Sequence, residues 1–272
     1  GMVLAGSSIQ VTKMPKKTIH EKKNAGEDYK PILAKLATVL KQAEAGVEND
    51  SAEYVDLTYS LEKLARKAVA DEKTQKGAAH FKVAVNKLRQ FAQIKNDQAQ
   101  DLNLCYSAGQ TYALLGLTHE AADSYEQALK LSKQLHDDKS HARTLRQMGN
   151  LKLRQSEWKE AIACFEHSYK ISQDNGEPLD EAFALNSLAA AYFHTAAWRK
   201  METACEHALA LAEKMNDDDL TACVYNNLGA MYNLQSQWDK ALVALQKSQP
   251  LFEKLGDLRG LAETYNNLAT AY

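Results

Sequence analysis

Residues Tyr225 to Tyr232 read YNNLGAMY, and residues Tyr265 to Tyr272 read YNNLATAY, forty positions later. The same frame recurs upstream as LNSLAAAY from Leu185, LRQMGNLK from Leu145 and CYSAGQTY from Cys105. A small residue holds the fifth place each time, as Gly109, Gly149, Ala189, Gly229 and Ala269. An aromatic follows three residues on at Tyr112, Tyr192, Tyr232 and Tyr272, with Lys152 as the exception. Nine residues beyond the small position stand Trp158, Trp198 and Trp238, with Thr118 in the first copy. Ala121, Ala161, Met201 and Ala241 come next, and then Tyr125, Phe165, Cys205 and Leu245. No insertion or gap interrupts the register, so the period belongs to the architecture and outranks any local motif.

Outward from the repeat, the composition excludes several classes. The 272-residue chain carries 33 Lys+Arg against 35 Asp+Glu, a net charge of −2, which gives the whole chain no attraction to nucleic acid or to a membrane surface. Four cysteines without a CxxC pair exclude a disulfide scaffold and a standard structural zinc site. No apolar run reaches the length of a membrane span. Four prolines and twelve glycines are too few to punctuate many hairpins, and the chain is read as all-α.

Charge divides the chain. Residues 1–100 are net basic by about five and residues 101–272 net acidic by about seven. Residues 1–26, with Lys13, Lys16, Lys17, Lys22 and Lys23 around Pro15, show no helical period and are read as a flexible basic arm. Residues 27–100 are expected to hold about three helices. The first starts near Pro31 and reaches about Glu44, the second is capped by Ser51 and runs through Ala68, and the third spans about Gly77 to Ile94. Within them, residues 50–98 also fit an eroded repeat unit. The array itself occupies 101–272, with units at about 101–141, 142–181, 182–221 and 222–260 and the first helix of a fifth at 261–272. A solenoid end without a cap predicts either further sequence or a second copy over that face.

The small, aromatic, bulky, alanine, aromatic order resembles the tetratricopeptide repeat family over 101–272. The resemblance implies a right-handed α-solenoid, a superhelix of antiparallel helix pairs in which the small residues let two backbones approach and the aromatics fill the space beside them. Among long-repeat members it is similar to the Pins-type adaptors, the kinesin light chains and the bacterial Rap-type regulators. The run from Gly256-Asp257 through Leu261, Ala262, Tyr265 and Asn266-Asn267-Leu268 is nearest to the Pins type.

Two departures from the pattern carry expectations. Met201 and Cys205 replace Ala and an aromatic, a pair that conserves volume. Pro250 within a second helix is expected to kink it.

In this family the first helix of each unit lines the concave face. The resemblance therefore implies a peptide-binding set of Asn103, Tyr106, Gln110, Arg143, Arg146, Asn150, Phe183, Asn186, Phe193, Asn226, Asn227, Asn233, Asn266 and Asn267. Asn offers both donor and acceptor to an extended main chain. Arg143 and Arg146 suit carboxylates, and Phe183 and Phe193 suit an apolar anchor. The alternative for the asparagines is a bridging role between neighbouring helices, and for the arginines an ion pair with a neighbouring acid. Ser187, Cys223 and Asn227 lack the residues of a chaperone-tail carboxylate clamp.

No phosphate loop, HExxH or GxSxG motif occurs. Glu166-His167 and Glu206-His207, forty apart, are read as helix surface, the cysteines as small buried apolar residues, and the Trp series as core. Asp137-Asp138 and Asp217-Asp218-Asp219 are read as solvated turns. The expectation is a cytoplasmic, non-enzymatic interaction scaffold without cofactor or metal. It holds an extended or helical partner peptide bearing acidic and bulky apolar residues. The alternatives are a self-associating module, including a homodimer, and the sensor or scaffold half of a longer signalling protein.

Overall fold

The computed structural model describes residues 29–45 and 74–272. The basic arm at 1–26 and the helix expected from Ser51 lie outside the described residues. The chain divides into two compact units at 137/138. The first contains α1 (Tyr29–Glu44), α2 (Thr74–Ile94), α3 (Gln98–Leu114) and α4 (Thr118–Gln134). The second contains α5 (Asp138–Arg154), α6 (Trp158–Asp174), α7 (Pro178–His194), α8 (Trp198–Lys214), α9 (Asp218–Leu234), α10 (Trp238–Leu255) and α11 (Leu258–Ala271). No strand occurs among the described residues. From α3 onward a helix begins every twenty residues, and the expected unit limits fall three or four residues inside the first helix of each pair.

A backbone device sets that rhythm. Asn96, Gly116, His136, Ser156, Gly176, Ala196, Asn216, Ser236 and Gly256 all have φ between 53° and 74°. Each follows a helix end in the left-handed conformation, and the next amide reaches back five residues. Glu177 N–H donates to the Ser172 carbonyl at 2.9 Å and Ala197 N–H to that of Tyr192 at 2.9 Å. Asp97, Asp217 and Asp257 then cap the following helices by accepting from backbone amides. Asp217 is thus a cap, which corrects its reading as a solvated turn residue.

In the first unit, α2 buries Phe81, Val85, Leu88 and Ala92, forty positions before Ala121, Tyr125, Ala128 and Ser132 of α4. It therefore has the burial register of a second helix. Phe81 meets Tyr112 of α3 edge to face, with centroids 5.2 Å apart.

In the second unit the two helix types bury differently. Every residue of α7 from Asp180 to Tyr192 except Phe183 is covered, whereas α6 buries only Ala161, Phe165, Ser168 and Ser172. The first helices α5, α7, α9 and α11 touch in succession. The backbones of second helices approach those of first helices and not one another among the described residues, with Tyr169 of α6 and His207 of α8 bridging the gap edge to face. The result is an α-solenoid with an inner row of covered helices and an outer row of amphipathic ones.

Small positions explain the close approach. A Cβ on Gly149 would stand 2.5 Å from Phe165, one on Gly109 2.5 Å from Tyr125, and one on Gly229 2.4 Å from Leu245. The third pair has Ala189, and the facing position is Cys205, short enough to admit the methyl. The volume exchange thus runs through Ala189 and Cys205, with Met201, also fully buried, filling the space beside them. The next junction inverts the pattern, with Gly260 of α11 meeting Phe252 of α10. Pro250 lies on the exposed side of α10, which continues through it to Leu255.

The tryptophans depart from expectation. Each begins a second helix, but Trp158 and Trp198 are half-buried and Trp238 is 43% exposed. Trp158 and Trp198 pack against the edge of the hydrophobic core, as expected in part, whereas Trp238 does not continue the stripe. Trp158 stacks on His194, with centroids 4.3 Å apart and planes 2° apart.

Candidate functional site

The expected binding residues fall on the first helices, and the spacing between those helices decides what they do. In the second unit, a residue three before one small position meets the residue two before the next. Asn227 donates its amide to Asn186 Oδ1 at 2.9 Å, and Asn267 donates to Asn226 Oδ1 at 3.1 Å. Asn233 donates to the Asn267 carbonyl at 2.7 Å. Asn226, Asn227 and Asn267 have no exposed surface and Asn233 has 2%. The expectation that these four face a ligand does not hold here, because their side chains are covered and tie neighbouring helices together. This is the bridging alternative that the sequence leaves open.

Not every hydrogen-bonding atom in the row is used. Asn150 Oδ1, Asn226 Nδ2, Asn227 Oδ1 and Asn233 Oδ1 are buried without a partner. Asn150 itself gives a long bond of 3.5 Å to Gln147. Asn266, at the end of the row, is exposed.

The arginine and aromatic residues form a patch between α5 and α7. Arg143, 44% exposed, pairs with the nearly covered Asp180 at 3.1 Å. The Arg146 guanidinium, one turn along, lies 5.0 Å from the centroid of the half-buried Phe183 ring. Phe193, also half-buried, sits at the other end of α7, edge to face with His194 at 5.8 Å and with Trp198 at 6.0 Å. In the first unit, Gln110 donates to the Tyr106 hydroxyl at 3.3 Å, both half-buried, and Asn103 is exposed.

Elsewhere the chemistry is quiet. No cluster of three metal-ligating side chains occurs among the described residues. All four cysteines are free thiols. Burial pushes the Cys105 thiol up to about 12, and raises Cys164, Cys205 and Cys223 as well, so each holds its proton. His167 and His207 are exposed on the outer row. His167 meets His141 edge to face, and His207 lies 3.6 Å from Glu181.

Sequence reasoning overlooked a second recurring set, on the outer side. Tyr192 donates its hydroxyl to Glu166 at 3.3 Å, with Lys200 5.6 Å from its ring. Tyr232 donates to Glu202 at 2.9 Å, with Lys240 5.3 Å from its ring. Burial lifts both phenols to about 12. The signal was present, since Lys200 and Lys240 keep the forty-residue spacing of the tyrosines.

The tetratricopeptide repeat family model matches residues 102–174, 180–254 and 220–272. No curated protein matches the chain. Among solved structures it is similar to BtubC (BKLC) from P. vanneervenii at 17% identity, covering 85% of this chain and 93% of that one, with a TM-score of 0.64. It is similar to aspartyl phosphate phosphatase F from Bacillus subtilis at 14% identity, covering 90% and 70%, with a TM-score of 0.67. A Rap protein complexed with competence and sporulation factor aligns at 12% identity, covering 90% and 88%, with a TM-score of 0.57. At these identities the likeness is one of fold.

Proposed function

We propose that this chain, which belongs to the tetratricopeptide repeat family, works as a non-enzymatic protein–protein interaction scaffold. It holds an extended or helical segment of a partner against the first-helix face of residues 138–272. The observation that carries this reading is the patch of Arg143, Arg146 and Phe183, two guanidiniums one turn apart beside a half-buried ring. A partner carboxylate can exchange with Asp180 for Arg143, while Arg146, only 8% exposed, adds positive charge beneath it. A bulky apolar side chain fits against Phe183 and towards Phe193. A Rap protein of this fold is complexed with competence and sporulation factor, which supports a binding role for the fold. Free thiols suit the reducing cytoplasm, where we place the protein.

The test is affinity capture by the full chain and by an Arg146→Ala, Phe183→Ala variant, with retained proteins quantified by mass spectrometry. Asn186 is left intact because it holds Asn227. The variant is expected to lose partner affinity by roughly 2–4 kcal/mol with helicity unchanged. Equal retention by both proteins would overturn the reading.

A further inference from the structure

On the far side of α7 the outer row opens. Helix periodicity turns Leu185, Leu188 and Tyr192 about half a turn away from Phe183 and Asn186. Those three residues, each only 4–8% exposed, lie at the bottom of a cleft of about 470 Å³ whose walls are α6 and α8. The backbones of the two walls stand apart, and they meet through Tyr169 of α6 and His207 of α8, edge to face with centroids 6.3 Å apart.

The rim has an uneven charge. Arg199 and Lys200 at the start of α8 are exposed. Among the described residues, Arg199 makes no side-chain ion pair and Lys200 only the contact with the Tyr192 ring. The lining carboxylate, Glu166, accepts from the Tyr192 hydroxyl, which leaves two cations against one carboxylate on the rim, and His207 lies between Glu181 and the Tyr169 ring. Two cations thus border an apolar floor in a unit that is itself net acidic. The next junction, between α8 and α10, differs at the same positions. Asp239 replaces Arg199, Tyr225 replaces Leu185, and Lys247 lies 5.0 Å over the Tyr225 ring. The pair of rim cations is therefore present at the junction of α6 and α8 and absent at that of α8 and α10.

We propose that this cleft is a second docking site, taking an amphipathic helix of a partner that sets an apolar side chain on Leu185, Leu188 and Tyr192 and an acidic one beside Arg199 and Lys200. A helix is the fitting occupant because α6 and α8 are equivalent elements of successive repeats and run parallel. They form a groove without free main-chain donors for an extended strand. The volume holds one large apolar side chain and part of its turn. Charge complementarity selects an acidic flank over a basic one.

The probe is a fluorescein-labelled, helix-favouring peptide of about sixteen residues with Leu on one face at helical spacing and Glu on its flanks. A matched peptide with Lys in place of Glu is the comparison. Fluorescence anisotropy with the full chain is expected to show saturable binding of the Glu peptide, at least tenfold tighter than the Lys peptide. An Arg199→Glu, Lys200→Glu variant should reverse that preference, whereas Arg146→Ala with Phe183→Ala should leave it unchanged. The proposal fails if the Glu peptide does not bind, if charge reversal at 199 and 200 has no effect, or if binding disappears in the Arg146, Phe183 variant. The last result would place the peptide on the other face of the inner row.

Discussion

Asn227 reaches across from α9 to Asn186 of α7, and its amide hydrogen bond of 2.9 Å ties two successive units in a site closed to water. Replacing Asn227 by Ala leaves Asn186 Oδ1 without this donor and is expected to cost about 1–3 kcal/mol. Replacing both residues by Leu removes both polar groups at similar volume and should cost less than the two single changes added together. Urea midpoints of the four proteins in the cycle provide the check, and strict additivity would remove the tie.

Gly149 faces Phe165 so closely that a methyl group would overlap the ring. Gly149→Ala should destabilise by about 1–3 kcal/mol. The third unit tolerates Ala189 because its facing residue is Cys205. In a Phe165→Cys background the same Gly149→Ala change should therefore cost much less. Chemical denaturation of the two pairs measures the coupling.

Ala196 holds φ at 53° in an exposed turn. A residue with a Cβ spends about 1–2 kcal/mol in that region, and glycine does not. Ala196→Gly is expected to raise the melting temperature despite the greater freedom it gives the unfolded chain. The opposite change in the equivalent turn, Gly176→Ala, should lower it. Calorimetry distinguishes the two directions.

His194 lies flat on Trp158, and burial lowers its pKa below the ordinary value of 6.5. The unfolded chain therefore binds this proton before the native chain does. Stability from the neutral imidazole is fully present above pH 6.5 and declines as pH falls through the lowered native value. Urea midpoints from pH 7.5 to 5 should show this loss, together with quenching of Trp158 emission on protonation. A His194→Gln variant should lack that part of the slope.

How much was legible depended on what a residue type can report. Gly149 against Phe165 and Gly229 against Leu245 recur in one dimension because each place accepts only a narrow volume, so the hairpin units are written in the chain. The twenty-residue rhythm is not written there in the same way. Its left-handed turns accept Gly, Asn, His, Ser and Ala alike, and the two helices of a hairpin share no residue pattern. Trp238 carries the strongest hydrophobic signature of its unit yet sits over a turn, where its ring is partly wet. For Asn226 and Asn267 the polarity was plain, but their mutual bond follows from how near α9 comes to α11. That distance belongs to no single repeat. Arg143 shows the same ambiguity, since a neighbouring acid, Asp180, satisfies the chemistry that suits a foreign one.

The turns at every twentieth residue also limit how such a chain can change its length. Removing one amino acid inside α7 would swing everything after it by about 100° about that axis. Leu220 would leave its apolar surroundings and the α8–α10 outer surfaces would face new directions. Tolerated insertions and deletions should therefore come as whole hairpins, while single-residue changes in length are confined to the ends of the array.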